Sequence, residues 1–592
     1  MFLTNLKKIA KKILREPLFY MLPLLAVLYL IVIPAKMEFS DIKVARNDKT
    51  EAIKLPYSAD MADNEIFIVS YNLSVDDKRT AKFNVIPDDC IKEILINDKK
   101  FPLDGIRGIC DYSGGAYFDF SEYVQDGLNH FEFRVRNGGG PGGLRVEMPY
   151  NGFKSLSLKH YIFALIFLLS TALLLKKFRF KFIAASIILL GIVVRLVLYT
   201  YTGPTEYSYD TGGHLQYMQI ISEEKRIPKN NEGWSTFHPP LYYIVSAVIK
   251  NVADRYDPNL TNRILQQESL LISFASVIFG VALILNLFGN SRMAYLTALI
   301  AVLWPGFVIT APRIGNDILF YFGSLFCMLF AQRYWNSHKN VDMLLASIGA
   351  SIALAGKSTG FVILSVWVIV YILNALRSLK IGSLKVLFAS AFIVMLFACF
   401  SNYRTIVSIF EGKKLELVAN AGGLNSNLRV NNTTGNYLYF DLQDNLMHPY
   451  TSAWNDQGGR QYFWNYALKT SLFGEFRFWN SPIGNTIAAI ISLLALVISM
   501  LALWGIIHAR YRDLPSLLFM VFSFAALLYL RVSYPFSCSN DFRHIFPVLF
   551  PLVYFATRGA QILENSRLRK LSYISMLTFA AFSFAFTVGQ AI

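Results

Sequence analysis

An aspartate and a histidine stand four residues apart in the segment YSYDTGGH, residues 207–214. If Gly212 and Gly213 open a helix, Asp210 and His214 share one of its faces. A carboxylate beside an imidazole can orient a hydroxyl group and take its proton. The alternative is structural, with Asp210 capping the helix and His214 solvated. The pair alone leaves both interpretations open, so the rest of the chain has to decide.

A base that activates a hydroxyl group needs cations nearby if the leaving group is a phosphate ester, because negative charge develops on that ester. Arginine can hold phosphate oxygens through two parallel hydrogen bonds, whereas lysine acts as a point charge. A single cation at the end of a membrane span can instead extend into the lipid headgroups. Candidate donor-phosphate ligands at predicted span ends are Arg313, Lys357, Arg404, Arg543 and His544.

Other polar side chains fall in the same predicted loops and are candidates for substrate contact: Glu206, His238, Asn316, Asp317 and Glu475. Asn316 and Asp317 could equally cap a helix, and Glu475 could brace Arg477. No metal-ligand spacing is strong enough to predict a metal site, although Asp210, His214 and His238 could gather a divalent cation. We therefore predict no certain cofactor.

The elements that position these residues are mostly apolar. The chain has 592 residues, of which 54% are hydrophobic and 16% charged, below the roughly 25% charged residues of soluble domains. Runs of about 18 apolar residues can cross a bilayer. The sequence predicts thirteen such spans, at 18–35, 160–175, 182–201, 265–288, 293–310, 317–334, 341–356, 359–376, 384–403, 484–507, 514–532, 544–560 and 571–590.

The net charge of +16 follows this topology. With thirteen spans and a cytoplasmic N-terminus, the basic clusters fall on the cytoplasmic side, as the positive-inside rule requires. We see no nucleic-acid signal. The long polar segments then face outward, and function is expected at the outer, periplasmic face of a multi-pass plasma (inner) membrane protein. The candidate cations lie on that outer face, against the usual bias, and as a group they favour a binding site.

The segment from 38 to 150 has a different pattern, with runs of alternating or β-rich residues separated by turn residues. This pattern is typical of an antiparallel β-sandwich. We predict a basic N-terminus with the first span over 1–36, an extracytoplasmic sandwich over 37–155, and a multi-span catalytic module over 156–592 with outer loops 202–264 and 404–483. Cys90 and Cys110 share the outer segment, where they could form a disulfide or remain free.

Two family resemblances extend this interpretation. The order of ILINDKKFPLDG and FDFSEYVQDGLNHFEFRVRNGGGPGG resembles the galactose-binding-like jelly rolls found on carbohydrate enzymes, with or without a working sugar site. The outer loop carrying YDTGGH and HPPLYY, followed in order by PRIGND, ALAGKSTGF, NYR, SLFGEF and DFRHIFPVLFP, resembles the GT-C superfamily of integral membrane glycosyltransferases. The likeness covers about residues 185–560 and is nearest to family 39, with the protein O-mannosyltransferases and the lipid A aminoarabinose transferase.

The GT-C resemblance implies a polytopic helical membrane enzyme that transfers one sugar, with inversion, from a polyprenyl-phosphate donor. The acceptor would be a hydroxyl group on a glycan, lipid or protein of the cell envelope. In this resemblance Asp210 is the general base, Glu206 is the nearby alternative, and His214 is the neighbour that orients the base or contacts the acceptor. The sequence lacks the adjacent acidic pair of some relatives, and His544 stands where relatives often have tyrosine.

Two other functions stay open. One is a non-catalytic carrier or flippase for a lipid-linked saccharide, which would favour ionisable residues in the middle of the spans. The other is a polymerase or ligase of surface polysaccharide, which shares the donor type but transfers whole chains. The sugar and the acceptor are not encoded locally.

Overall fold

The computed structural model describes residues 38–75, 78, 81–103, 106, 109–110, 115–147, 167, 170–173, 175–177, 180–204, 206–256, 261–378, 384–410, 423–454, 456–478 and 482–589. The first predicted span, the basic N-terminus and most of the second predicted span lie outside these residues. Two compact units divide the described part of the chain. One falls within Val32–His160 and Thr200–Ser208, and the other within Tyr161–Tyr199 and Tyr209–Ile592.

The first unit is a two-sheet antiparallel β-domain, which confirms the predicted β-rich domain near the N-terminus. Its sheets have the strand orders β2-β1-β4-β9-β6-β7 and β3-β10-β5-β8. The strands are β1 (Glu38–Arg46), β2 (Lys49–Ala52), β3 (Tyr57–Asp60), β4 (Ile66–Val75), β5 (Lys82–Asp88), β6 (Cys90–Ile96), β7 (Lys99–Lys100), β8 (Ala116–Asp119), β9 (Gly127–Arg136) and β10 (Pro141–Glu147).

The period-two pattern of the strands explains why this domain has a core. On β9 the side chains of Phe131, Phe133 and Val135 are fully buried, whereas those of the residues between them are more exposed. Alternate side chains of a strand point to opposite faces, so each strand contributes one apolar face to the space between the sheets. Cys90 and Cys110 are joined by a disulfide within this domain.

The second unit is helical. Its helices are α1 (Phe182–Tyr201), α2 (Thr211–Glu224), α3 (Leu241–Tyr256), α4 (Thr261–Phe288), α5 (Arg292–Leu303), α6 (Pro305–Ile309), α7 (Asp317–Ser337), α8 (Asn340–Gly356), α9 (Gly360–Ser378), α10 (Leu384–Phe410), α11 (Thr434–Leu438), α12 (Leu442–Met447), α13 (Phe463–Phe473), α14 (Pro482–Ile507), α15 (Leu514–Ser533), α16 (Leu549–Gln561) and α17 (Ser566–Gly589). Among the described residues, seven helices are long and apolar enough to cross a membrane. They are α1, α4, α9, α10, α14, α15 and α17. The total of thirteen spans stays a prediction.

The predicted span at 293–310 is not one continuous helix. It is divided between α5 and α6 at Trp304, whose φ and ψ of −57° and 121° are not helical. Pro305 begins α6, and the residue before a proline is driven out of the helical region by steric contact. The buried guanidinium of Arg195 donates to the carbonyls of Val302 and Phe307, at 3.2 and 3.1 Å. These bonds satisfy backbone groups on both sides of the break.

The close approach of α7 and α8 brings two candidate residues together. A Cβ atom at Gly323 would lie 2.4 Å from the backbone nitrogen of Ala353, and one at Gly349 would lie 2.5 Å from that of Cys327. Small residues at such positions allow helix backbones to pack directly on each other. As a result Asp317, the first residue of α7, lies beside Lys357, which follows the last residue of α8.

Candidate active site

Asp210 begins α2 but does not cap it with its side chain. Its backbone is left-handed, with φ 52° and ψ 25°, and its carboxylate makes no capping hydrogen bond. Instead the indole nitrogen of Trp234 donates to Oδ1 at 2.8 Å, and a guanidinium nitrogen of Arg543 lies 3.9 Å from Oδ2. The capping alternative is therefore wrong for this aspartate.

Arg543 is held by a second carboxylate and by an aromatic ring. Its Nε lies 3.5 Å from Oδ2 of Asp541, a side chain that is 1% exposed, and its backbone nitrogen donates to the same carboxylate at 2.9 Å. The guanidinium carbon is 3.9 Å from the centre of the Tyr209 ring, a cation–π geometry. The Asp541 carboxylate and the Tyr209 ring therefore fix the position of the Arg543 guanidinium, and one edge of that guanidinium faces Asp210.

Lys357 forms the second cationic contact of the site. Its ammonium group pairs with Asp317 and lies 3.1 Å from Nδ1 of His544. Since an ammonium group only donates, Nδ1 must accept, and the proton of His544 is on Nε2, which lies 3.3 Å from the Cys538 carbonyl. His544 is thus neutral in this arrangement. It orients Lys357 and adds no positive charge of its own, and its contact with the donor phosphate stays a prediction.

His214 is buried, so the alternative in which its side chain is solvated does not hold. Its Nδ1 lies 2.8 Å from the Tyr243 hydroxyl, and its ring stacks on His238 with centres 6.0 Å apart. Burial lowers the pKa of His214 to about 4, despite the opposing charge of Asp210. His214 is accordingly a neutral hydrogen-bonding group of the site.

Arg313 and Glu475 also contact Tyr209. The guanidinium carbon of Arg313 is 4.7 Å from the centre of the Tyr209 ring and 4.8 Å from that of Phe476. The backbone nitrogen of Glu475 donates to the Tyr209 hydroxyl at 3.0 Å. The hydroxyl of Tyr466 donates to the Glu475 carboxylate. Arg477 is not among these contacts.

Two buried carboxyl groups of the site are harder to ionise than usual. Burial raises the pKa of Glu475 to about 7, and the neighbouring charge of Asp541 adds to the shift. Burial also raises the pKa of Asp541, although Arg543 opposes this. The two carboxyl groups compete for one arginine, which explains why they influence each other.

Arg404 takes no part in this cluster. It lies inside α10, so the predicted outer loop begins later than 404. Its guanidinium donates to three backbone carbonyls of one loop, those of Pro228 at 2.8 Å, Thr236, and His238 at 2.6 Å. These bonds occupy three of the five N–H groups of the guanidinium. Arg404 therefore braces this loop, and its role as a donor-phosphate ligand stays a prediction.

Two remaining candidates, Asn316 and Glu206, are each hydrogen-bonded to a backbone group. The side chain of Asn316 donates to the Gly356 carbonyl at 2.7 Å, which ties the start of α7 to the end of α8. The carboxylate of Glu206 accepts from the backbone nitrogen of Gly203 at 2.9 Å. Within the described ranges, no group of three or more His, Cys, Asp or Glu residues is arranged to hold a metal ion.

Sequence reasoning missed three residues that the structure puts at the centre of the site, Tyr209, Trp234 and Asp541. Two of them carried a local signal, because Tyr209 precedes Asp210 and Asp541 lies two residues before Arg543. Trp234 is 24 residues from Asp210 and lies in a loop whose path the sequence pattern does not give. Only the fold could bring it to the carboxylate.

Comparisons with known proteins identify no family. No protein-family model matches the chain, and no curated protein matches it. Among solved structures, it is similar to the arabinosyltransferase EmbB from Mycobacterium smegmatis, with a TM-score of 0.30 and 12% sequence identity over 95% of this chain. The match covers 63% of the EmbB chain. At this level the likeness carries no conclusion about activity, so the functional argument depends on the site.

Proposed function

We propose that this protein is an inverting glycosyltransferase that moves a sugar from a polyprenyl-phosphate donor to a hydroxyl acceptor. The observation that carries the proposal is the meeting of an exposed carboxylate with buried cations. The Asp210 side chain is 40% exposed, and it faces the Arg543 guanidinium, whose side chain is 15% exposed, at 3.9 Å. A base open to an acceptor, beside a cation for a phosphate, is what this transfer requires.

The two oxygens of the Asp210 carboxylate have different surroundings, and this difference indicates which oxygen would take the proton of the acceptor. Trp234 donates to Oδ1 and holds the carboxylate in place. Oδ2 faces Arg543 without a close hydrogen bond and is the oxygen proposed to accept the proton. A fixed base in a defined orientation contributes about 100- to 10,000-fold to the rate of such a step.

In the proposed step, Oδ2 of Asp210 takes the proton of the acceptor hydroxyl. The acceptor oxygen forms a bond to the anomeric carbon, while the bond between that carbon and the phosphate oxygen breaks. The electron pair leaves with the polyprenyl phosphate. Arg543 and Lys357 would stabilise the added negative charge, with His544, Asp317 and Asp541 orienting them. One displacement inverts the anomeric carbon.

The apolar helices support a lipid-linked donor. Seven helices of the described chain have the length and composition of membrane spans, and a polyprenyl chain is soluble only in such surroundings. We propose that the site works at the outer face of a plasma (inner) membrane, with the N-terminus in the cytoplasm, as the basic residues predict. The acceptor class would be a glycan, a lipid or a protein of the cell envelope.

A carrier or flippase fits the site less well, because the charged groups gather around one exposed carboxylate at the helix ends. A transported saccharide would need polar contacts along its path through the membrane. A polymerase or ligase of surface polysaccharide uses the same donor chemistry and remains a variant of the proposal. The length of the transferred saccharide separates the two.

The test is transfer by the full chain in lipid nanodiscs, with radiolabelled polyprenyl-phosphate sugars and envelope extracts as acceptors. Asp210→Asn should abolish transfer while leaving binding of polyprenyl phosphate intact, because the amide cannot take a proton. Glu223→Gln is the control, since Glu223 is an exposed carboxylate on the same helix that accepts a hydrogen bond from Gln219 at 3.0 Å. Unchanged transfer by Asp210→Asn would overturn the assignment of the base.

A further inference from the structure

Trp234 lies beside the proposed base and is partly exposed. Its side chain is 38% exposed, and its indole N–H is hydrogen-bonded to Oδ1 of Asp210 at 2.8 Å. This bond fixes the plane of the ring relative to the base. An aromatic ring held beside the proposed base offers an apolar face next to a polar group, a combination found in small-molecule sites.

The loop that carries Trp234 is braced on several sides. Arg404 holds the carbonyls of Pro228, Thr236 and His238. The Thr236 hydroxyl donates within the loop, to the carbonyl of Gly233 at 2.8 Å. Arg226 pairs with Glu232 across the start of the loop. Such a shell of contacts presents the indole as a rigid surface.

Two glycines, Gly213 and Gly423, lie close to the side chain of Trp234. A Cβ atom at Gly213 would lie 3.1 Å from Cβ of Trp234 and 2.6 Å from the Ser235 hydroxyl. A Cβ atom at Gly423 would lie 3.4 Å from Cζ3 on the far edge of the ring. The first turn of α2 and the segment at 423 therefore fit closely around Trp234, and its exposed area is what these contacts leave open.

We infer that Trp234 is a stacking platform for the acceptor, and that the acceptor is a sugar ring. A sugar ring has a face of C–H groups that can pack on an indole, and hydroxyl groups at its edge. With that face on Trp234, an edge hydroxyl would meet the carboxylate to which the indole N–H is bonded. A serine or threonine side chain on a peptide has no such apolar ring face. This inference rests on the proposed function and narrows its acceptor class to a glycan.

A binding experiment tests the platform independently of transfer. The full chain in nanodiscs would be titrated with methyl glycosides of glucose, galactose, mannose and arabinose, and with blocked serine and threonine peptides, by saturation-transfer difference NMR. Ring protons of at least one glycoside should receive saturation in the native protein. Trp234→Ala should weaken that binding about tenfold, as expected when an aromatic contact is lost.

Two variants separate the platform from a general loss of structure. Trp454→Ala is the matched control, because Trp454 is also exposed, at 47%, in another loop of the same helical unit, and it should leave glycoside binding unchanged. Trp234→Phe keeps an aromatic face but loses the N–H bond to Asp210. It should keep glycoside binding within about threefold and lower kcat for transfer, with little change in KM for the acceptor.

The possible outcomes are distinct. Glycoside binding that is equal in Trp234→Ala and native protein would overturn the platform, as would peptides that bind in a Trp234-dependent way while glycosides do not. Transfer that needs Asp210 but is indifferent to Trp234 would overturn the platform and leave the proposed transferase standing. Trp234-dependent glycoside binding without any transfer would overturn the transferase and leave a sugar site.

Discussion

The Nε atom of Arg543 lies 3.5 Å from Oδ2 of Asp541, a carboxylate buried to 1% exposure. On its other edge the same guanidinium lies 3.9 Å from Oδ2 of Asp210. One arginine thus connects an exposed carboxylate, which can meet a substrate, to a buried carboxylate, which cannot. This arrangement gives the two acids different tasks. Asp210 is the proposed base, and Asp541 is the positioning residue for the cation beside it.

Replacing Asp541 by asparagine should therefore impair use of the donor more than folding. With its rear contact weakened, Arg543 can shift, and a displacement of about 1 Å in such a group can cost up to about 100-fold in rate. We expect kcat/KM for the donor to fall about 10- to 100-fold, mainly through KM. Asp513→Asn is the control. Asp513 is equally buried, but it precedes α15, whereas Asp541 follows that helix, and it accepts a hydrogen bond from the Tyr554 hydroxyl. Equal losses in both variants would show that Asp541 is only structural.

Lys357 and Asp317 offer a way to separate donor binding from stability. Lys357→Met leaves the Asp317 carboxylate without its ion-pair partner, which should destabilise the protein by on the order of 3 kcal/mol. Lys357→Met combined with Asp317→Asn removes both charges and should recover most of that stability. Binding of a short-chain polyprenyl phosphate should stay weak in both variants, because the cation is gone. Thermal unfolding of the purified protein measures the change in stability, and binding of the short-chain polyprenyl phosphate measures the loss of the cation.

If the double variant binds the polyprenyl phosphate as well as the native protein does, Lys357 is not a phosphate ligand and its role is limited to the ion pair. If the double variant is as unstable as the single variant, the pair with Asp317 is not what Lys357 contributes to folding. The conservative change Lys357→Arg keeps the positive charge. It should retain more donor binding than Lys357→Met in the same assay.

Much of the architecture followed from residue patterns. Period-two runs between 38 and 150 predicted the β-domain, because each strand buries one face only. Apolar runs predicted the long helices, because length and hydropathy are local properties. The division of the span at 293–310 was missed, although Pro305 marks it, since the break is stabilised by Arg195 from a helix distant in sequence.

The site was predictable in its residue types but not in its pairings. Basic residues at helix ends pointed to a cluster, and Lys357 and Arg543 do lie in it. Arg404 looked the same in sequence, yet its guanidinium is engaged by three carbonyls. Which cation meets a carboxylate and which meets a backbone carbonyl depends on contacts between segments that are far apart in the sequence, from 40 residues for Lys357 and Asp317 to 176 for Arg404 and Pro228. No local pattern records these contacts.

Arg404 can be tested by a change that keeps its charge. Arg404→Lys retains a cation but cannot hold three carbonyls in the geometry of a planar guanidinium. We expect faster hydrogen exchange in residues 228–238 and a lower kcat, while KM for the donor changes less than about twofold. A large increase in donor KM with unchanged hydrogen exchange would instead restore the role of Arg404 as a phosphate ligand.

The pH dependence of stability should report on Glu475. Burial raises the pKa of its carboxyl from 4.5 to about 7, so between these values the folded protein keeps a proton that the unfolded chain releases. Folding is then favoured by this group at low pH, and the contribution is lost as pH rises through about 7. It amounts to at most about 3 kcal/mol, and less where water reaches the carboxyl.

Glu475→Gln should remove this slope, because an amide does not titrate and can still accept the hydrogen bond from Tyr466. The unfolding temperature of the native protein should fall relative to that of the variant as pH rises from about 4.5 to 7, and the two curves should run parallel above that range.

Tyr466→Phe is the companion variant. That hydrogen bond lowers the pKa of Glu475, so its loss should move the native slope to higher pH. Parallel curves for the native protein and Glu475→Gln across the whole range would mean that Glu475 is already ionised in the folded protein at low pH. Its carboxylate would then add a third negative charge near Arg543, after those of Asp210 and Asp541.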